Sequence, residues 1–299
     1  MQENKPFHSG FIAIIGRPNV GKSTLLNALL GEKIAIVSNR PQTTRNRILG
    51  VSTQADSQLV FLDTPGVHKP RNRLGEYMMQ AVRDALQGID GLMMVVDASQ
   101  VTQQDRELAA DMAGQKVRKT LVLNKIDLIP KENLLALIQR FAELPYDEVV
   151  PISARTGDGV EELRTALIHM LPIGPRYFPE DTLTDQPERF LCGEIVREKA
   201  LLYLKDEVPH GIGVEVMALH KIHDGMTEID ATIYCEREAH KGIVIGRQGA
   251  MLKKIGAEAR KDIEALLDTH VNLKLWVKVR EDWRNNRDDL RTLGYTQET

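Results

Sequence analysis

The sequence predicts a mainly parallel α/β domain with helices on both faces of its sheet, followed by a smaller α+β domain. Short apolar runs alternate with amphipathic stretches between residues 10 and 171, as in strands and helices that follow one another along a chain. A segment with four prolines, residues 172–188, ends this alternation. The stretch after it combines helix and strand patterns in a different order. The length of 299 residues agrees with two domains, each large enough to bury a core.

Five apolar runs predict the strands of the first domain. They are short and aliphatic, which is typical of parallel strands covered on both faces, and stretches with helical spacing separate them. The runs are FIAIIG at 11–16, QLVFLDTPG at 58–66, GLMMVVDA at 91–98, TLVLNKID at 120–127 and VVPISA at 149–154. Ligands of such sheets bind at the carboxyl ends of the strands, so a binding site is expected there.

The second domain is predicted as a helix, two strands, two helices and a last strand, over about 90 residues. The first helix is RFLCGEIVREKALLYL, and the strands are GVEVMALHKIH, TEIDATIYCERE and VNLKLWVKV. Trp276 lies in the middle of the last strand, and we expect it in the core. Trp283 lies beyond that strand in a charged segment, where we expect it to be exposed.

Composition excludes several classes of protein. The net charge of −3 argues against a bulk polycation, so nucleic-acid binding would need a local basic patch. Cys192 and Cys235 have neither CxxC spacing nor a nearby histidine pair, which predicts reduced thiols rather than a disulfide framework or a zinc site. The polar N-terminus lacks the apolar core of a signal peptide, and no apolar run reaches the ~18 residues of a membrane span. We therefore expect a soluble, cytoplasmic protein.

The stretch GRPNVGKS at 16–23 follows a predicted strand and begins a predicted helix. It matches GxxxxGK[ST], a loop whose backbone N–H groups surround the phosphates of a nucleoside triphosphate. Lys22 would place a positive charge on the β and γ phosphates, and Ser23 would offer its hydroxyl to Mg²⁺. The helix N-terminus also favours anions. The motif predicts a nucleotide site, with a chance glycine turn as the alternative.

The stretch NKID indicates which base is bound. Asp127 would accept hydrogen bonds from the N1–H and the exocyclic amine of guanine, a donor pair that adenine lacks. Asn124 would support the purine edge, and the stem of Lys125 would lie against the nucleotide. After the next strand come Ser153 and Ala154, whose backbone N–H could reach the guanine carbonyl. NKxD is common by chance, but its place at a strand end downstream of the other motifs predicts GTP and GDP as ligands.

Two polar loops are candidates for the parts that respond to the γ-phosphate. DTPG follows a strand, so Asp63 can hold Mg²⁺ and the Gly66 N–H can sense the γ-phosphate. PQTTRNR at 41–47 joins a helix to a strand, and Thr44 is our candidate for closing on Mg²⁺. Such loops are ordered by the triphosphate and released on hydrolysis. We interpret His68 as an exposed loop histidine, with a general base as the alternative.

A second glycine loop, GRQG at 246–249, lies between a short predicted helix and a longer one. Glycine at both ends would let a nucleic-acid backbone approach without Cβ clashes, and Arg247 would add charge. Residues 240–280 hold nine Lys and Arg against four Asp and Glu, in a chain that is negative overall. Such a run is often only a solvated face, and a lone GxxG is common in loops.

The motifs taken together carry a resemblance to a known family. GRPNVGKST, TTR, DTPG, NKID and SA stand in the order found in translation-factor-related GTPases, which the chain resembles. The helix–strand–strand–helix–helix–strand order with VIGRQGAMLKKIG resembles the type II KH domain, a clamp for about four unpaired nucleotides. The chain combines one such GTPase domain with a C-terminal KH domain. In this combination it is similar to the Era GTPases, and the resemblance covers residues 8–285.

The resemblance implies four segments: an Era-type P-loop GTPase domain at 8–175, a linker at 176–190, a KH domain at 191–285 and a C-terminal tail at 286–299. It implies slow hydrolysis of GTP to GDP and phosphate, and binding of single-stranded 16S ribosomal RNA near its 3′ end. It further implies a role in maturation of the small ribosomal subunit, and it allows peripheral association with the inner membrane face. Nothing in the sequence requires an oligomer, so we expect a monomer.

The residue after DTPG is Val67 rather than glutamine, so no amide is available there to position the attacking water. The resemblance implies a subfamily in which K⁺ assists hydrolysis and the asparagine of the phosphate loop, here Asn19, binds the ion. A cation at that place could stabilise charge in the transition state. The alternative is that Asn19 is a simple turn residue.

The predicted site residues form four groups. Catalysis is assigned to Lys22, Thr44, Gly66 and Asn19, and Mg²⁺ binding to Ser23, Thr44 and Asp63. The nucleotide-binding residues are Gly16, Arg17, Pro18, Asn19, Val20, Gly21, Lys22, Ser23, Thr24, Asp63, Thr64, Pro65, Gly66, Asn124, Lys125, Asp127, Ser153 and Ala154. The RNA-binding residues are Gly242, Ile243, Ile245, Gly246, Arg247, Gln248, Gly249, Lys253 and Lys254.

Two other functions are alternatives to GTP-controlled RNA binding. The first is a constitutive RNA-binding or RNA-chaperone module whose nucleotide domain serves only stability. The complete motif set, with both Thr44 and Asp63 present, argues against it. The second is an enzyme that modifies RNA under control by GTP, for which the sequence offers no second catalytic constellation.

Overall fold

The computed structural model describes residues 6–38, 40, 42–223 and 225–295, which form two compact units. The first unit holds most of the chain up to Asp185, and the second holds most of the chain from Gln186 onwards. Short segments from 36–43 and 69–78 group with the second unit. Pro41 of the predicted loop and residues 296–299 of the predicted tail lie outside the described residues. The domain boundaries drawn from the sequence stay predictions.

The first unit contains a six-stranded sheet in the order β2-β3-β1-β4-β5-β6. β2 is antiparallel to β3, and the other neighbours are parallel. The short β2 was not among the predicted strands, because its apolar run is only four residues long and contains Gly50. The strands are β1 His8–Ile15, β2 Ile48–Thr53, β3 Ser57–Asp63, β4 Gly91–Asp97, β5 Arg118–Asn124 and β6 Glu148–Pro151.

Among the described residues, five helices cover this sheet, and they confirm the mainly parallel α/β fold predicted from the alternation of patterns. Side chains such as Ala13, Met94 and Leu121 point to one face, where they form a cluster with Val82 and Phe141 of the helices. Their neighbours along each strand face the other way, because successive side chains alternate across a sheet. The helices are α1 Lys22–Leu30, α2 Arg73–Ala85, α3 Gln103–Ala113, α4 Lys131–Phe141 and α5 Val160–Met170.

The end of the proline-rich segment lies against the edge of the six-stranded sheet. The backbone N–H of Val51 in β2 donates to the carbonyl of Leu183 at 2.8 Å. Thr184 Oγ1 donates to the carbonyl of Leu49 at 2.6 Å. This part of the predicted linker therefore caps the otherwise unpaired edge of β2, which would be open to pairing with other chains.

The second unit is a three-stranded sheet with helices on one face. β8 lies in the centre, antiparallel to β7 and parallel to β9. Val196, Ile255 and Ile263 of the helices form one core with Ile229 and Ile233 of the sheet. This is the α+β fold that the pattern predicts. The elements are α6 Glu188–Tyr203, β7 Gly213–His223, β8 Met226–Cys235, α7 Glu238–Ile245, α8 Ala250–Leu267, β9 His270–Val279 and α9 Arg287–Thr292.

The structure contradicts both tryptophan predictions. Trp276 is 59% exposed, because the alternation of β9 puts it on the face of Lys274 and Lys278 rather than on the core face. Trp283 is fully buried, and its Nε1 donates to the carbonyl of Gly211 at 2.9 Å. The charged segment around it folds back so that Tyr295 stacks on its ring.

The helices of the described residues are all too short or too polar to cross a membrane.

Candidate functional site

Four loops at the carboxyl ends of strands build the candidate nucleotide site. The loops follow β1, β3, β5 and β6, which run parallel to one another in the sheet. Parallel strands end at one edge of a sheet, so the loops that follow them lie side by side. The structure thereby brings GRPNVGKS, DTPG, NKID and SA together. Among the remaining predicted residues of these loops, Val20, Thr64 and Pro65 are buried, and Pro18 and Thr24 are half-buried.

The ammonium group of Lys22 is buried within the phosphate loop. Lys22 begins α1, and its Nζ donates to the backbone carbonyls of Gly16 and Arg17, each at 3.1 Å. Burial lowers the pKa of this ammonium to about 8, and the nearby charge of Asp63 partly opposes the shift. A phosphate beside the ammonium would favour its charged form. The arrangement can therefore hold a cation against a phosphate group.

Three side-chain oxygens meet next to Lys22. Ser23 Oγ lies 2.8 Å from Thr44 Oγ1 and donates to Asp63 Oδ2 at 2.8 Å. Asp63 is fully buried, and no described residue donates a hydrogen bond to its Oδ1. Burial raises the pKa of Asp63 to about 6, against the opposing charge of Lys22. A buried carboxylate with an unsatisfied oxygen and two hydroxyls beside it fits Mg²⁺, which prefers oxygen ligands.

The DTPG loop lies directly against the phosphate loop. The N–H of Val67 donates to the carbonyl of Gly16 at 3.0 Å. A Cβ added at Gly66 would stand 2.5 Å from the nitrogen of Pro18, so the two loops can be this close only with glycine there. His68 Nδ1 lies 2.8 Å from the carbonyl oxygen of Gly66. His68 is half-buried rather than exposed as expected, and the alternative of a general base is untested.

Asn124 ties three of the loops together. Its Nδ2 donates to the carbonyl of Val20 at 2.8 Å. Its Oδ1 accepts from the backbone N–H groups of Lys125 at 2.8 Å and of Ala154 at 3.0 Å. The Ala154 N–H, which the sequence assigns to the guanine carbonyl, thus donates to Asn124 in this structure. Its contact with the base stays a prediction.

Both carboxylate oxygens of Asp127 have partners. Ser153 Oγ donates to Oδ1 at 2.7 Å, and the guanidinium of Arg155 pairs with Oδ2 at 2.6 Å. The hydrogen bond from Ser153 lowers the pKa of Asp127, and the charge of Arg155 adds to this while desolvation opposes it. Asp127 is therefore an ionised acceptor at neutral pH. Arg155 was not among the predicted site residues, although its position directly after Ala154 was an available signal.

Lys125 connects the base side of the site with the phosphate loop. Its Nζ donates to the carbonyl of Asn19 at 2.8 Å and pairs with Asp97 Oδ2 at 2.6 Å. Asp97, which ends β4, was missed because GLMMVVDA was interpreted only as a strand. Asn19 is exposed and has a φ of 64°, a conformation that asparagine tolerates better than most residues. The turn-residue alternative for Asn19 therefore has a physical basis, and its K⁺ role stays a prediction.

The second glycine loop joins α7 to α8. Gly246 follows α7, a single 3₁₀ turn spans Arg247–Gly249, and α8 begins at Ala250. Gly246, Gln248 and Gly249 have φ values of 71°, 52° and 79°. The N-terminus of α8 has no side-chain cap, since Gly249 stands there. Its first N–H groups can therefore serve an anion.

The polar side chains around this loop are exposed. Arg247, Gln248, Lys253 and Lys254 all reach solvent, and Lys254 Nζ lies 4.0 Å from the centre of the Tyr203 ring. Gly242 and Ile243 are exposed and Ile245 is half-buried, which leaves an apolar strip beside the basic residues. The loop can thus offer N–H groups, positive charge and an apolar surface to an unpaired nucleic-acid strand.

Two family models match the chain, each over one of these regions. A model described as 50S ribosome-binding GTPase matches residues 11–125, and one described as KH domain matches residues 207–284. The GTPase Era of Ruminiclostridium cellulolyticum is 51% identical, over 97% of this chain and 98% of that protein. The GTPase Era of Geobacter metallireducens is 50% identical, over 99% of this chain and 100% of that protein.

Two solved Era structures are also similar to this chain. A structure of Era in complex with MgGDPNP and nucleotides 1506–1542 of 16S ribosomal RNA has a TM-score of 0.93 and 40% identity. The match covers 97% of this chain and 100% of the chain in that structure. A variant of Aquifex aeolicus Era bound to GDP and AlF4⁻ has a TM-score of 0.93 and 40% identity, with the same coverage of both chains.

Proposed function

This chain belongs to the Era family of GTPases, and on that basis we propose that GTP and GDP control its binding to single-stranded ribosomal RNA. As a GTPase it hydrolyses GTP to GDP and phosphate. One observation carries the proposal: the same chain holds an assembled set of guanine-nucleotide motifs and an exposed GxxG loop between two helices. The nucleotide motifs alone would fit a GTPase that does not bind RNA, and the GxxG loop alone would fit an RNA-binding protein without nucleotide control.

The nucleotide site is proposed to work through charge and position. Lys22 holds the β and γ phosphates, the N–H of Gly66 meets the γ-phosphate, and Asp127 accepts from guanine. Support comes from the buried ammonium of Lys22, from the contact of Gly66 with the phosphate loop and from the two donors that orient Asp127. Fixed charges in a site that excludes water act more strongly than in solvent, which is the main source of catalysis in phosphoryl transfer.

Ser23, Thr44 and Asp63 are proposed to hold Mg²⁺ through their side-chain oxygens. Ser23 Oγ lies 2.8 Å from an oxygen of each of the other two. When bound, Mg²⁺ neutralises charge on the β and γ phosphates. The chain contributes the placement of these oxygens and the burial of Asp63. Thr44 lies in a loop that the triphosphate is expected to order through Mg²⁺, so its oxygen would link the nucleotide state to loop order.

The RNA site is proposed on the GxxG loop and its flanks. The related Era in the solved complex holds nucleotides 1506–1542 of 16S ribosomal RNA. We infer that this chain binds the corresponding region near the 3′ end of its own 16S ribosomal RNA and assists maturation of the small subunit. The contacting residues are Gly242, Ile243, Ile245, Gly246, Arg247, Gln248, Gly249, Lys253 and Lys254.

RNA affinity is expected to depend on the bound nucleotide. A short single strand matching the 3′ end of 16S ribosomal RNA should bind more tightly to protein loaded with a non-hydrolysable GTP analogue than to protein loaded with GDP. Coupling between two sites is typically about 5- to 150-fold, and it acts equally in both directions. The same RNA must therefore raise the affinity for the GTP analogue, relative to GDP, by the same factor. Titration of labelled RNA with each loaded form measures the ratio.

The control strand has the same composition in scrambled order, and both strands are titrated at two salt concentrations because phosphate contacts depend on salt. Equal RNA affinity for the two loaded forms would contradict nucleotide control. It would leave a constitutive RNA-binding or RNA-chaperone module with a structurally important GTPase domain. Altered RNA recovered after incubation would instead indicate RNA modification.

K⁺ is proposed to assist hydrolysis through the side chain of Asn19. Replacing potassium by sodium should then slow GTP turnover of the parent protein. Asn19→Gly keeps the left-handed backbone conformation at φ 64°, because glycine adopts it without strain, and it removes only the amide. This variant should bind GTP normally and turn it over at the same rate in both salts. A potassium-dependent rate in Asn19→Gly would assign Asn19 to the turn alone.

The cytoplasmic location, the association with the inner membrane face and the monomeric state stay predictions from the sequence.

A further inference from the structure

Arg17, the second residue of the phosphate loop, ties that loop to the start of α3. Its Nη1 donates to Thr102 Oγ1 at 2.6 Å and pairs with Asp105 Oδ2 at 2.9 Å. Thr102 and Asp105 form the capping box of α3. Asp105 Oδ2 accepts from the Thr102 N–H at 2.8 Å and from its hydroxyl at 2.5 Å. One carboxylate oxygen therefore serves both the helix cap and the arginine.

Burial distinguishes this contact from an ordinary surface ion pair. The side chain of Asp105 is 1% exposed and that of Arg17 is 29% exposed. Asp105 Oδ1 is also buried, and no hydrogen bond to it comes from the described part of the chain. Salt screens such a pair weakly, and a buried carboxylate without a cation is costly. The weak screening and the cost of an unpaired buried carboxylate both favour a guanidinium of Arg17 that stays beside Asp105.

The backbone of Arg17 contacts Lys22, the residue proposed to bind the phosphates. The carbonyls of Arg17 and Gly16 accept the two hydrogen bonds of Lys22 Nζ, each at 3.1 Å. The carbonyl of Gly16 also accepts from Val67 of the DTPG loop at 3.0 Å. Arg17 is thus anchored on α3 by its side chain and anchors Lys22 by its backbone. Movement of Arg17 would displace the carbonyls on which the ammonium of Lys22 rests.

We propose that Asp105 is a positioning residue for GTP hydrolysis, which acts by fixing Arg17 and through it the ammonium of Lys22. The inference rests on the proposed role of Lys22 toward the phosphates. A capping box by itself requires only that Asp105 accept from the N-cap of the helix. The contact with Arg17 connects the capping box to the nucleotide site. We therefore expect substitution of Asp105 to slow GTP turnover by more than the loss of the helix cap alone would explain.

Four variants test this role: Arg17→Gln, Asp105→Asn, their combination and Arg17→Lys. We expect kcat/KM for GTP to fall about tenfold in each of the first two, within the range seen for residues that act through others. The loss should lie mainly in kcat, because Lys22 serves a phosphate whose charge changes in the transition state. The double variant should be no slower than the slower single variant, since both remove one contact. Arg17→Lys keeps a cation near Asp105 and should stay within about threefold of the parent.

Stability is measured in parallel by thermal unfolding. Arg17→Gln leaves the carboxylate of Asp105 buried without its cation, and Asp105→Asn weakens the cap of α3, so both variants should unfold at a lower temperature than the parent. Turnover is therefore compared at a temperature at which each variant is fully folded. Asp111→Asn, at an exposed position of α3, is the matched control for the charge change and should behave like the parent. Full activity of Arg17→Gln, losses that multiply in the double variant, or equal impairment of Arg17→Lys and Arg17→Gln would overturn the proposal.

Lys22→Ala separates this inference from the proposed site. If Lys22→Ala binds and hydrolyses GTP like the parent, the proposed role of Lys22 is wrong. If Lys22→Ala is inactive and Arg17→Gln is fully active, the nucleotide site stands and only the positioning role of Asp105 is wrong.

Discussion

Asp127→Asn is expected to change the preferred nucleotide from GTP to its xanthine counterpart. The carboxylate of Asp127 is held by Ser153 and Arg155 as an ionised acceptor. Guanine would donate to it from N1–H and from the exocyclic amine. The asparagine amide keeps one acceptor and turns the other into a donor, which suits the second carbonyl of xanthine.

The expected loss of GTP affinity is large. A hydrogen bond to a charged group contributes about 1.5–3 kcal/mol, so two such bonds correspond to roughly two to four orders of magnitude in the dissociation constant. Competition of GTP and xanthosine triphosphate for labelled nucleotide measures the change. Arg155→Ala is the control, since it removes a partner of Asp127 that is 72% exposed and leaves the acceptor in place. Guanine selectivity should survive in Arg155→Ala, and its survival in Asp127→Asn would refute the placement of the base.

Gly249→Asp is expected to abolish most RNA binding while the KH domain stays folded. A Cβ at Gly249 would meet nothing within 4 Å, whereas one at Gly246 would stand 2.9 Å from the nitrogen of Met251. Substitution of Gly246 would therefore strain the loop, and Gly249 is the cleaner position. The new carboxylate would face the phosphates of a bound strand. We expect affinity to fall on the order of a hundredfold, because like charges brought together cost several kcal/mol.

Gly225→Asp is the matched control for this change. Gly225 has a φ of +86°, close to the +79° of Gly249, and a Cβ there would also meet nothing within 4 Å. It lies between β7 and β8 of the same unit, away from the GxxG loop in the sequence. Both variants therefore place a side chain at a similar positive φ, without a steric clash, and add the same charge. Equal RNA binding by the two variants would show that the GxxG loop is not the RNA site.

The motifs could be interpreted from the sequence because each is a local backbone device. A phosphate loop needs glycines, a lysine and a hydroxyl at fixed spacing, and its position between a strand and a helix is visible in the alternation of patterns. Their convergence also follows, since parallel strands end at one edge of the sheet. Ser23 and Asp63 were therefore expected near one another, and Thr44 was expected beside them as a candidate for closing on Mg²⁺. The oxygens of all three side chains lie together.

The residues that were missed act across the fold rather than within a motif. Asp97 reaches Lys125 from a neighbouring strand, and Asp105 reaches Arg17 from a helix about 90 positions further along the chain. Thr102 and Asp105 do carry the spacing of a capping box, which predicts a helix start but not a partner in the phosphate loop. Arg155 was beside a recognised pair of residues and was still not assigned.

The sequence by itself determined most of the order of strands and helices, with β2 missed, and it determined the nucleotide and RNA motifs and the family. Local spacing and hydrophobic periodicity encode all of these. Only the tertiary structure decided which polar groups meet and which aromatic side chains are buried. Trp276 is exposed because the alternation of β9 turns it away from the helices. Trp283 is buried because Tyr295 stacks on its ring and its Nε1 donates to the carbonyl of Gly211, 72 positions earlier in the chain. Burial depends on contacts between residues far apart in the chain, and a pattern within one segment does not contain them.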